Sequence, residues 1–430
     1  MRARSLRRSP ALRALPLLCA ALTACDDGTS AGQGIFDPIG RTLDAAVDAA
    51  PPPPPDDTAL RLRFEPIAHD AGALRITDLA FLGDGGELVV LDKDGEVIHM
   101  VLDGEGARRL GSFVVPDVWP DSDAGLISVA VDPGFAENRW IYLGYTPDRF
   151  TSVIRRYTLD PERLGYAGIL DTAVEVFSIA EPRAPRSWHN IGSMGFDDTG
   201  ALWALFGDKV QSDNARDLDT VLGGLVRILP QPEGGHDFPD DNPYTDGSGH
   251  PAVYAKGLRS PWKGFYHDGR WWVGDVGLDT HEEINLVESP GDDFGWPDYE
   301  GPCPAGGCVA ASGPWLSYGR SGSHPFVQDD LRATSSRLRS VWVAPPYRPN
   351  GNDRYRGRWD EVMLFGDAFV GWVRARRVDG TGDSFPVGHL HFATAFAQGP
   401  DGYVYATALG TWPVDAPVAP SPILRVVLDE

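Results

Sequence analysis

A histidine near the middle of the chain has the surroundings of a general base. His189 lies in the run Arg-Ser-Trp-His-Asn-Ile-Gly-Ser-Met over residues 186–194, just before a segment typical of a β-strand. An imidazole titrates near neutral pH, so at the edge of a strand it can take a proton from a substrate hydroxyl. Alternatively, a histidine at this position has only a structural role, in which it hydrogen-bonds a neighbouring loop. The residue type alone leaves both roles open.

An arginine and a group of acids follow at the ends of later strand-like segments. Arg259 belongs to the run Gly-Leu-Arg-Ser-Pro-Trp, and its planar fork suits a carboxylate, with a salt bridge as the structural alternative. The acidic group comprises Asp275 within Gly-Asp-Val-Gly, then Asp279, Glu282 and Glu283. Carboxylates and loop carbonyls suit calcium, although this spacing is not that of an EF-hand. The similar pair Gly366–Asp367 is interpreted as a turn.

Rigid strands must hold these loops, and the chain repeats one unit, a turn followed by a short alternating strand. The units lie at residues 83–91, 137–143, 197–205, 267–273, 369–375 and 400–406. Gly 50 and Pro 37 suit many short strands joined by turns. The pattern predicts an all-β fold, a six-bladed β-propeller with loop insertions, rather than a β-sandwich. We expect the longest insertion, within residues 291–340, to cover one face.

The first 58 residues predict an export signal and a tether. Five arginines precede an apolar run at residues 14–24, which is too short to span a bilayer stably. The run ends in Leu-Thr-Ala-Cys, which predicts a lipoprotein signal over residues 1–25 with Cys25 lipid-modified; an ordinary secretory signal is the alternative. Residues 26–58 contain five consecutive prolines and predict a disordered tether, leaving residues 59–430 as the folded domain. We expect a location in the bacterial cell envelope, periplasm-facing or on the outer surface, with membrane contact only through the lipid.

The charge of the chain limits its partners. The 430 residues carry a formal net charge of −23. A surface this acidic repels phosphate backbones, which argues against nucleic-acid binding.

Two cysteines remain for the folded domain once Cys19 is lost with the signal and Cys25 is lipidated. Cys303 and Cys308 are separated by Pro-Ala-Gly-Gly, and an oxidising envelope favours a disulfide between them. A zinc site would need two more soft ligands nearby, and the sequence shows none.

Several segments, in order along the chain, resemble one family. Residues 125–135 are similar to its Gly-Leu-Leu-Gly-Leu-Ala-Phe-His-Pro-Asp-Phe segment, and residues 189–192 to its His-Asn-Gly-Gly. Residues 222–228, 241–244 and 294–301 resemble its Leu-Gly-Lys-Ile-Leu-Arg-Ile, Asp-Asn-Pro-Phe and Tyr-Gly-Trp-Pro segments, the last with its following Glu-Gly. From about residue 74 to the C-terminus the chain is similar to the soluble quinoprotein glucose/sorbosone dehydrogenase family.

The resemblance implies a six-bladed propeller that binds pyrroloquinoline quinone (PQQ) beside calcium and oxidises a small-molecule sugar, passing electrons to an acceptor that the sequence does not identify. It implies His189 as the base and Arg259 as a catalytic and cofactor-orienting residue. The remaining implied cofactor contacts are Asn190, Ser260, Gly277 and Leu278, and the implied metal ligands are Asp275, Gly277 and Leu278.

The chain departs from the family pattern where the cofactor would bind. Ser260 replaces an asparagine, Leu278 replaces a glutamine, and Ile191 adds bulk beside His189. Residues 392–398 lack the arginines that clamp the cofactor in sugar-oxidising members. An alternative is therefore a non-catalytic propeller that binds a carbohydrate or protein partner, as hedgehog-interacting proteins do. A third is a calcium-dependent lactonase using Asn190, Asp208 and Asp275.

Overall fold

The computed structural model of this chain describes residues 60–104, 106–320, 338–409 and 420–430. The expected export signal, the tether and Cys25 lie outside these residues. Within the described ranges, none of the helices is both long and apolar enough to cross a membrane.

The described strands form six sheets, numbered here as blades 1 to 6 in chain order. Blade 1 contains β2 (Ala68–His69), β3 (Ile76–Phe81), β4 (Glu87–Asp92), β5 (Glu96–Asp103) and β6 (Gly106–Val114); blade 2 contains β7 (Leu126–Val131), β8 (Trp140–Tyr145), β9 (Thr151–Thr158) and β10 (Val174–Ala180). Blade 3 contains β11 (Ile191–Phe196), β12 (Leu202–Phe206), β13 (Gly224–Pro230), β14 (His236–Asp237) and β15 (Val253–Ala255); blade 4 contains β16 (Pro261–His267), β17 (Arg270–Asp275), β18 (His281–Val287) and β19 (Leu316–Gly319). Blade 5 contains β20 (Val341–Ala344), β21 (Val362–Asp367), β22 (Trp372–Arg377) and β23 (Phe385–His389); blade 6 contains β24 (Ala393–Gln398), β25 (Val404–Ala408), β26 (Ile423–Leu428) and the N-terminal β1 (Leu62–Pro66).

Both ends of the described chain close the ring of blades. β1 pairs antiparallel with β26, from Leu62 opposite Leu428 to Pro66 opposite Leu424. The innermost strands β3, β7, β11, β16, β20 and β24 each contact the innermost strands of the two neighbouring blades. This arrangement confirms the predicted all-β, six-bladed propeller, and it places the starts of the six inner strands around one end of the axis.

Apolar side chains between adjacent blades form the core. The second strands β12 and β17 are buried at almost every position, because a neighbouring blade covers each of their faces. The inner strand β16 instead alternates buried and half-buried positions, as expected where one face meets the axial channel. Aromatic pairs lock neighbouring blades together: Trp342 stacks on Phe396 with ring centroids 4.8 Å apart, and Phe177 packs on Phe206 at 5.6 Å.

The described helices are short and lie in connections between strands. They are α1 (Phe135–Asn138), α2 (Pro161–Ile169) and two 3₁₀ turns at Leu170–Thr172 and Ser212–Ala215. Proline is at the first position of α2, and the Asp160 side chain accepts a hydrogen bond from the backbone N–H of Arg163, so the start of this helix is capped as its sequence suggests.

Tyr355 links blades 5 and 6 through a fully buried hydroxyl. This group donates to the carbonyl of Val426 and accepts from the N–H of Val404, both at 2.8 Å. We expect Tyr355→Phe to lower the free energy of unfolding by about 1–3 kcal/mol, because two buried backbone groups lose their partner. Denaturant unfolding measures the change. Tyr299→Phe is the matched control, because the hydroxyl of Tyr299 accepts one bond, from Val309, at an exposed site; equal stability of the two variants would contradict the expectation.

Candidate functional site

A cavity of about 280 Å³ lies at the end of the axis where the inner strands begin. Residues from every blade line it, among them Thr77, Ile127, Ile191, Pro261, Ser340 and Ala393. Of the site residues expected from sequence, the lining includes His189, Asn190, Arg259, Ser260, Gly277 and Leu278. The imidazole and the guanidinium, far apart in the chain, therefore share one cavity. Asp275 lies behind the lining.

His189 is paired with a buried carboxylate. Its Nδ1 lies 2.6 Å from Oδ1 of Asp208, and the other carboxylate oxygen of Asp208 accepts from Trp296 Nε1 at 2.9 Å. Burial acts to raise the pKa of Asp208, but His189 and Arg259 lower it below its usual value, so the carboxylate stays charged. A charged acceptor at Nδ1 fixes the tautomer with the proton on Nδ1, which leaves Nε2 as the basic nitrogen.

The backbone presents His189 in an uncommon conformation. Its φ is +56°, in the left-handed region that few non-glycine residues adopt. The N–H of His189 donates to Asp123 at 2.7 Å, and the Asn190 side chain donates to the same carboxylate at 2.9 Å. Asp123 thus holds the strained turn in place.

Asn190 has its side chain fully engaged within the protein. Its amide nitrogen donates to Asp123 and to the carbonyl of Ser187 at 2.7 Å, and its oxygen accepts from Lys209 Nζ at 2.5 Å. In this structure Asn190 therefore positions the His189 turn. Its expected contact with a cofactor stays a prediction.

Arg259 braces the loop that follows β17. Its guanidinium donates to the carbonyls of Val276 and Gly277, both at 2.9 Å, and lies 5.4 Å from the ring centroid of Trp296. Trp296 also donates to Asp208, so it connects the arginine to the His189 pair. These contacts place a fixed positive charge beside the imidazole.

Asp275, which the family resemblance implies as a metal ligand, accepts hydrogen bonds from two backbone amides in this structure. Its two oxygens accept from the N–H groups of Arg259 at 2.8 Å and Ser260 at 2.6 Å. Burial, together with the nearby Glu283, raises the pKa of Asp275 to about 8. The carbonyl of Gly277 accepts from Arg259 and also from Arg320 at 3.0 Å. Two of the three expected calcium ligands therefore already have N–H partners, and the donor set does not fit a bound cation as it stands.

Glu300, which the sequence pattern did not single out as a site residue, shapes the same loop. One of its oxygens accepts from four consecutive backbone N–H groups, those of Leu278, Asp279, Thr280 and His281, at 2.7 to 3.3 Å. Burial acts to raise the pKa of Glu300, but these N–H groups lower it below its usual value. Gly277 has no room for a side chain, because a Cβ there would lie 1.7 Å from the carbonyl oxygen of His281. This conformation of the Gly277–Leu278 turn therefore requires glycine at position 277.

The lining includes cations that the sequence did not reveal. They are Lys93, Lys263, Arg320 and Arg339. Lys263 directly follows the Arg-Ser-Pro-Trp run, so the sequence could have indicated that it lies near Arg259. The other three cations are distant from that run in the sequence, and only the fold brings them to the cavity. The uncharged stretch at residues 392–398 contributes Phe392, Ala393 and Thr394 to the same wall.

The insertion between β18 and β20 contributes to the site through Trp296 and Glu300. It also contains the bond between Cys303 and Cys308, whose Cα atoms are 5.0 Å apart, which confirms the predicted disulfide. The expected covering of one face depends partly on residues 321–337, which lie outside the described ranges.

A second group of potential metal ligands lies at the opposite end of β16. His267, Asp268 and Glu361 are the one set of three or more such residues within ligand distance in the described part of the chain. Arg348 donates to Asp268 and its NH2 group lies 3.4 Å from His267 Nε2, so a guanidinium already supplies positive charge there.

Comparison with known proteins gives consistent matches. A sequence model of the family described as Glucose / Sorbosone dehydrogenase matches residues 75–307. Aldose sugar dehydrogenase YliI of Escherichia coli is 31% identical over 228 residues, covering 51% of this chain and 58% of that protein. HIPL1 protein of Arabidopsis thaliana is 30% identical over 184 residues, covering 37% of this chain and 26% of that protein. The chain thus spans less than two thirds of these relatives.

Solved structures share the fold. The PQQ-bound form of aldose sugar dehydrogenase from Streptomyces coelicolor superposes with a TM-score of 0.66 at 21% identity, covering 86% of this chain and 99% of that one. The apo form of the soluble aldose sugar dehydrogenase from Escherichia coli gives a TM-score of 0.63 at 22% identity, covering 86% and 100%.

Gly207 gives a test of how tightly the His189 turn is packed. A Cβ at this position would lie 2.5 Å from the carbonyl oxygen of His189 and 2.7 Å from its Cβ. We expect Gly207→Ala to lower the free energy of unfolding by roughly 1–3 kcal/mol, because backbone must move. Thermal unfolding measures the loss. Gly85→Ala is the control, since no heavy atom lies within 4 Å of a Cβ there, and a loss no larger than that of the control would refute close packing.

Proposed function

The chain belongs to the glucose/sorbosone dehydrogenase family, and on that premise we propose that it is a PQQ-dependent dehydrogenase that oxidises an aldose or related sugar. The observation that carries the proposal is the buried Asp208–His189 pair facing a cavity that also holds Arg259. Such a pair supplies a base of defined tautomer beside a positive charge, which is what removal of a hydroxyl proton requires.

The residues of the chain have separate tasks in this reaction. His189 Nε2 takes the proton of the sugar hydroxyl as the carbon–oxygen bond becomes a carbonyl, and Asp208 stabilises the imidazolium that results. Arg259 stabilises negative charge developing on the substrate oxygen. Bound PQQ would supply the acceptor for the hydride that leaves the same carbon. Trp262 and Phe392 contribute apolar surface to the wall of the cavity.

The cavity contains cationic side chains of the kind that an anionic cofactor requires. Its volume of about 280 Å³ is close to the lower end of ligand pockets, which span about 300–1,000 Å³. Five cationic residues line it: Lys93, Arg259, Lys263, Arg320 and Arg339. Positive charge in a partly apolar cavity supports binding of the carboxylates of PQQ.

Calcium assistance remains a prediction from the family resemblance. The carbonyl of Gly277 is shared by two arginines and Asp275 is held by backbone amides, so calcium would have to displace these donors. We therefore assign no catalytic step to a metal ion.

The alternative function is a non-catalytic propeller that binds a carbohydrate or a protein. Leu278, Ser260 and the uncharged wall formed by Phe392 and Thr394 favour it, because they take the place of polar or cationic groups used by sugar-oxidising members of the family. Quinone-dependent turnover distinguishes the two functions.

Removing the base tests the enzymatic proposal. Purified protein is reconstituted with PQQ and calcium, and aldoses are assayed with an artificial electron acceptor. We expect His189→Ala to lower kcat about 100-fold or more and Asp208→Asn to lower it strongly as well, because proton transfer loses its base or the orientation of that base. His267→Gln, at the opposite end of β16, is the control. Wild-type protein that neither binds PQQ nor turns over sugars would reject the proposal and leave the binding function.

We also propose that the protein is tethered to a membrane of the cell envelope through lipid on Cys25. The Leu-Thr-Ala-Cys run and the proline-rich segment that follows support this. We expect Cys25→Ser to move the protein from the membrane to the soluble envelope fraction, because a short apolar signal without lipid does not hold a protein in a bilayer. Fractionation with detection of lipid-labelled protein measures it. A serine variant that stays at the membrane would show that the anchor lies elsewhere.

A further inference from the structure

The cationic side chains around the cavity differ in how many hydrogen-bond and ion-pair partners they have within the protein. Arg259 donates to two loop carbonyls, and Arg320 forms an ion pair with Glu282 and donates to Gly277. Lys93 Nζ donates to the carbonyl of Ser122 at 2.5 Å and has the acids Asp94, Asp121 and Asp123 around it. Each of these cations has strong partners within the protein.

Lys263 is placed differently, because it crosses the propeller axis. It lies on β16 of blade 4, and its Nζ donates to the carbonyl of Thr77 on β3 of blade 1 at 3.2 Å. Nζ also lies 5.3 Å from the ring centroid of Trp262. Thr77 and Trp262 both line the cavity, so the ammonium group forms part of its floor.

Below this floor lies a second axial cavity of about 290 Å³, lined by Asp78 as well as Lys263. Asp78 is the acid whose charge acts on Lys263, and its oxygens accept from Val129 N at 3.0 Å and from Ser128 Oγ and Leu79 N at 3.1 Å. Its own hydrogen bonds are therefore made by neighbouring groups other than the lysine.

The ammonium group retains unused donors. An ammonium can donate three hydrogen bonds, and in the described part of the chain Nζ has a single acceptor, the Thr77 carbonyl. The residue is only 7% exposed. Burial lowers the pKa of Lys263 and Asp78 only partly opposes this, which means that the desolvation cost of the charge is incompletely offset. An anionic group on the cavity side would supply what is missing.

We propose that Lys263 anchors a carboxylate of the bound quinone, in place of the arginines that residues 392–398 lack. The inference rests on the proposed function. The positive charge that holds the cofactor would then come from the inner strand of blade 4 and not from blade 6.

Equilibrium titration of the purified protein with PQQ, followed by tryptophan fluorescence, tests the anchor. The variants are Lys263→Met, which keeps length but not charge, and Lys263→Arg, which keeps charge. Asp78→Asn controls for disruption of the buried pair. The double variant Lys263→Met with Asp78→Asn replaces the single methionine variant if that variant does not fold, because it leaves no unpaired carboxylate at position 78.

We expect Lys263→Met, or the double variant, to raise the dissociation constant of PQQ at least about tenfold, since a desolvated charge contact is lost, while Lys263→Arg and Asp78→Asn change it far less. A second readout uses the trimethyl ester of PQQ, which lacks the negative charges. The preference of the wild type for the acid over the ester should fall at least about tenfold in the methionine variant, a change that a purely structural role would not produce.

The outcomes separate the two proposals. If the wild type binds PQQ and the methionine variants bind it within about twofold, the anchor is refuted and the proposed function stands. If the wild type does not bind PQQ, both are refuted. A general loss of affinity for acid and ester alike would assign Lys263 a structural role and also refute the anchor.

Discussion

One hydrogen-bonding arrangement recurs around the ring, and the site depends on it. At the end of the second strand of a blade, an acceptor side chain binds the backbone just before the first strand of the same blade. Asp92 accepts from Leu74 and Arg75, Asp275 from Arg259 and Ser260, Asp367 from Ser340, and Thr146 from Gly125. Because orphan backbone N–H groups are costly to bury, these acceptors allow the loops to converge on the axis with their peptides satisfied.

Blade 3 uses the same position for a different purpose. Asp208 follows β12, and its partner across the blade is the imidazole of His189 rather than a backbone amide. The amide of His189 is accepted instead by Asp123, which comes from the connection into blade 2. The carboxylate of Asp208 can therefore orient the candidate base His189. The backbone of His189 adopts a left-handed conformation in this arrangement. The general architecture of the blades thus explains why the candidate base sits where it does.

The arrangement also accounts for how charge is distributed in the cavity. Glu300 and Arg259 fix the loop after β17 through its peptide groups, and Arg259 keeps its positive charge in the lining of the cavity. Burial raises the pKa of Asp275 to about 8 and that of the neighbouring Glu283 to about 7. An anionic ligand would also meet the charge on the axis, where Lys263 spans from one side of the ring to the other.

The sequence determined the repeat and most of the candidate residues. Five of the six recognised turn–strand units are the second strand of a blade, while residues 369–375 form the third strand β22 of blade 5, so the blade count was right although one unit was displaced within its blade. Alternating apolar residues and glycine-rich turns are local signals, and local signals are enough to predict short strands. The pairing of His189 with Asp208 and the separation of Asp275 from the cavity could not be predicted from the sequence, because they depend on which atoms face each other across a blade. Lys263 and Thr77 are 186 positions apart and meet across the axis between blades 4 and 1, so only the tertiary structure decided which charges share the axis.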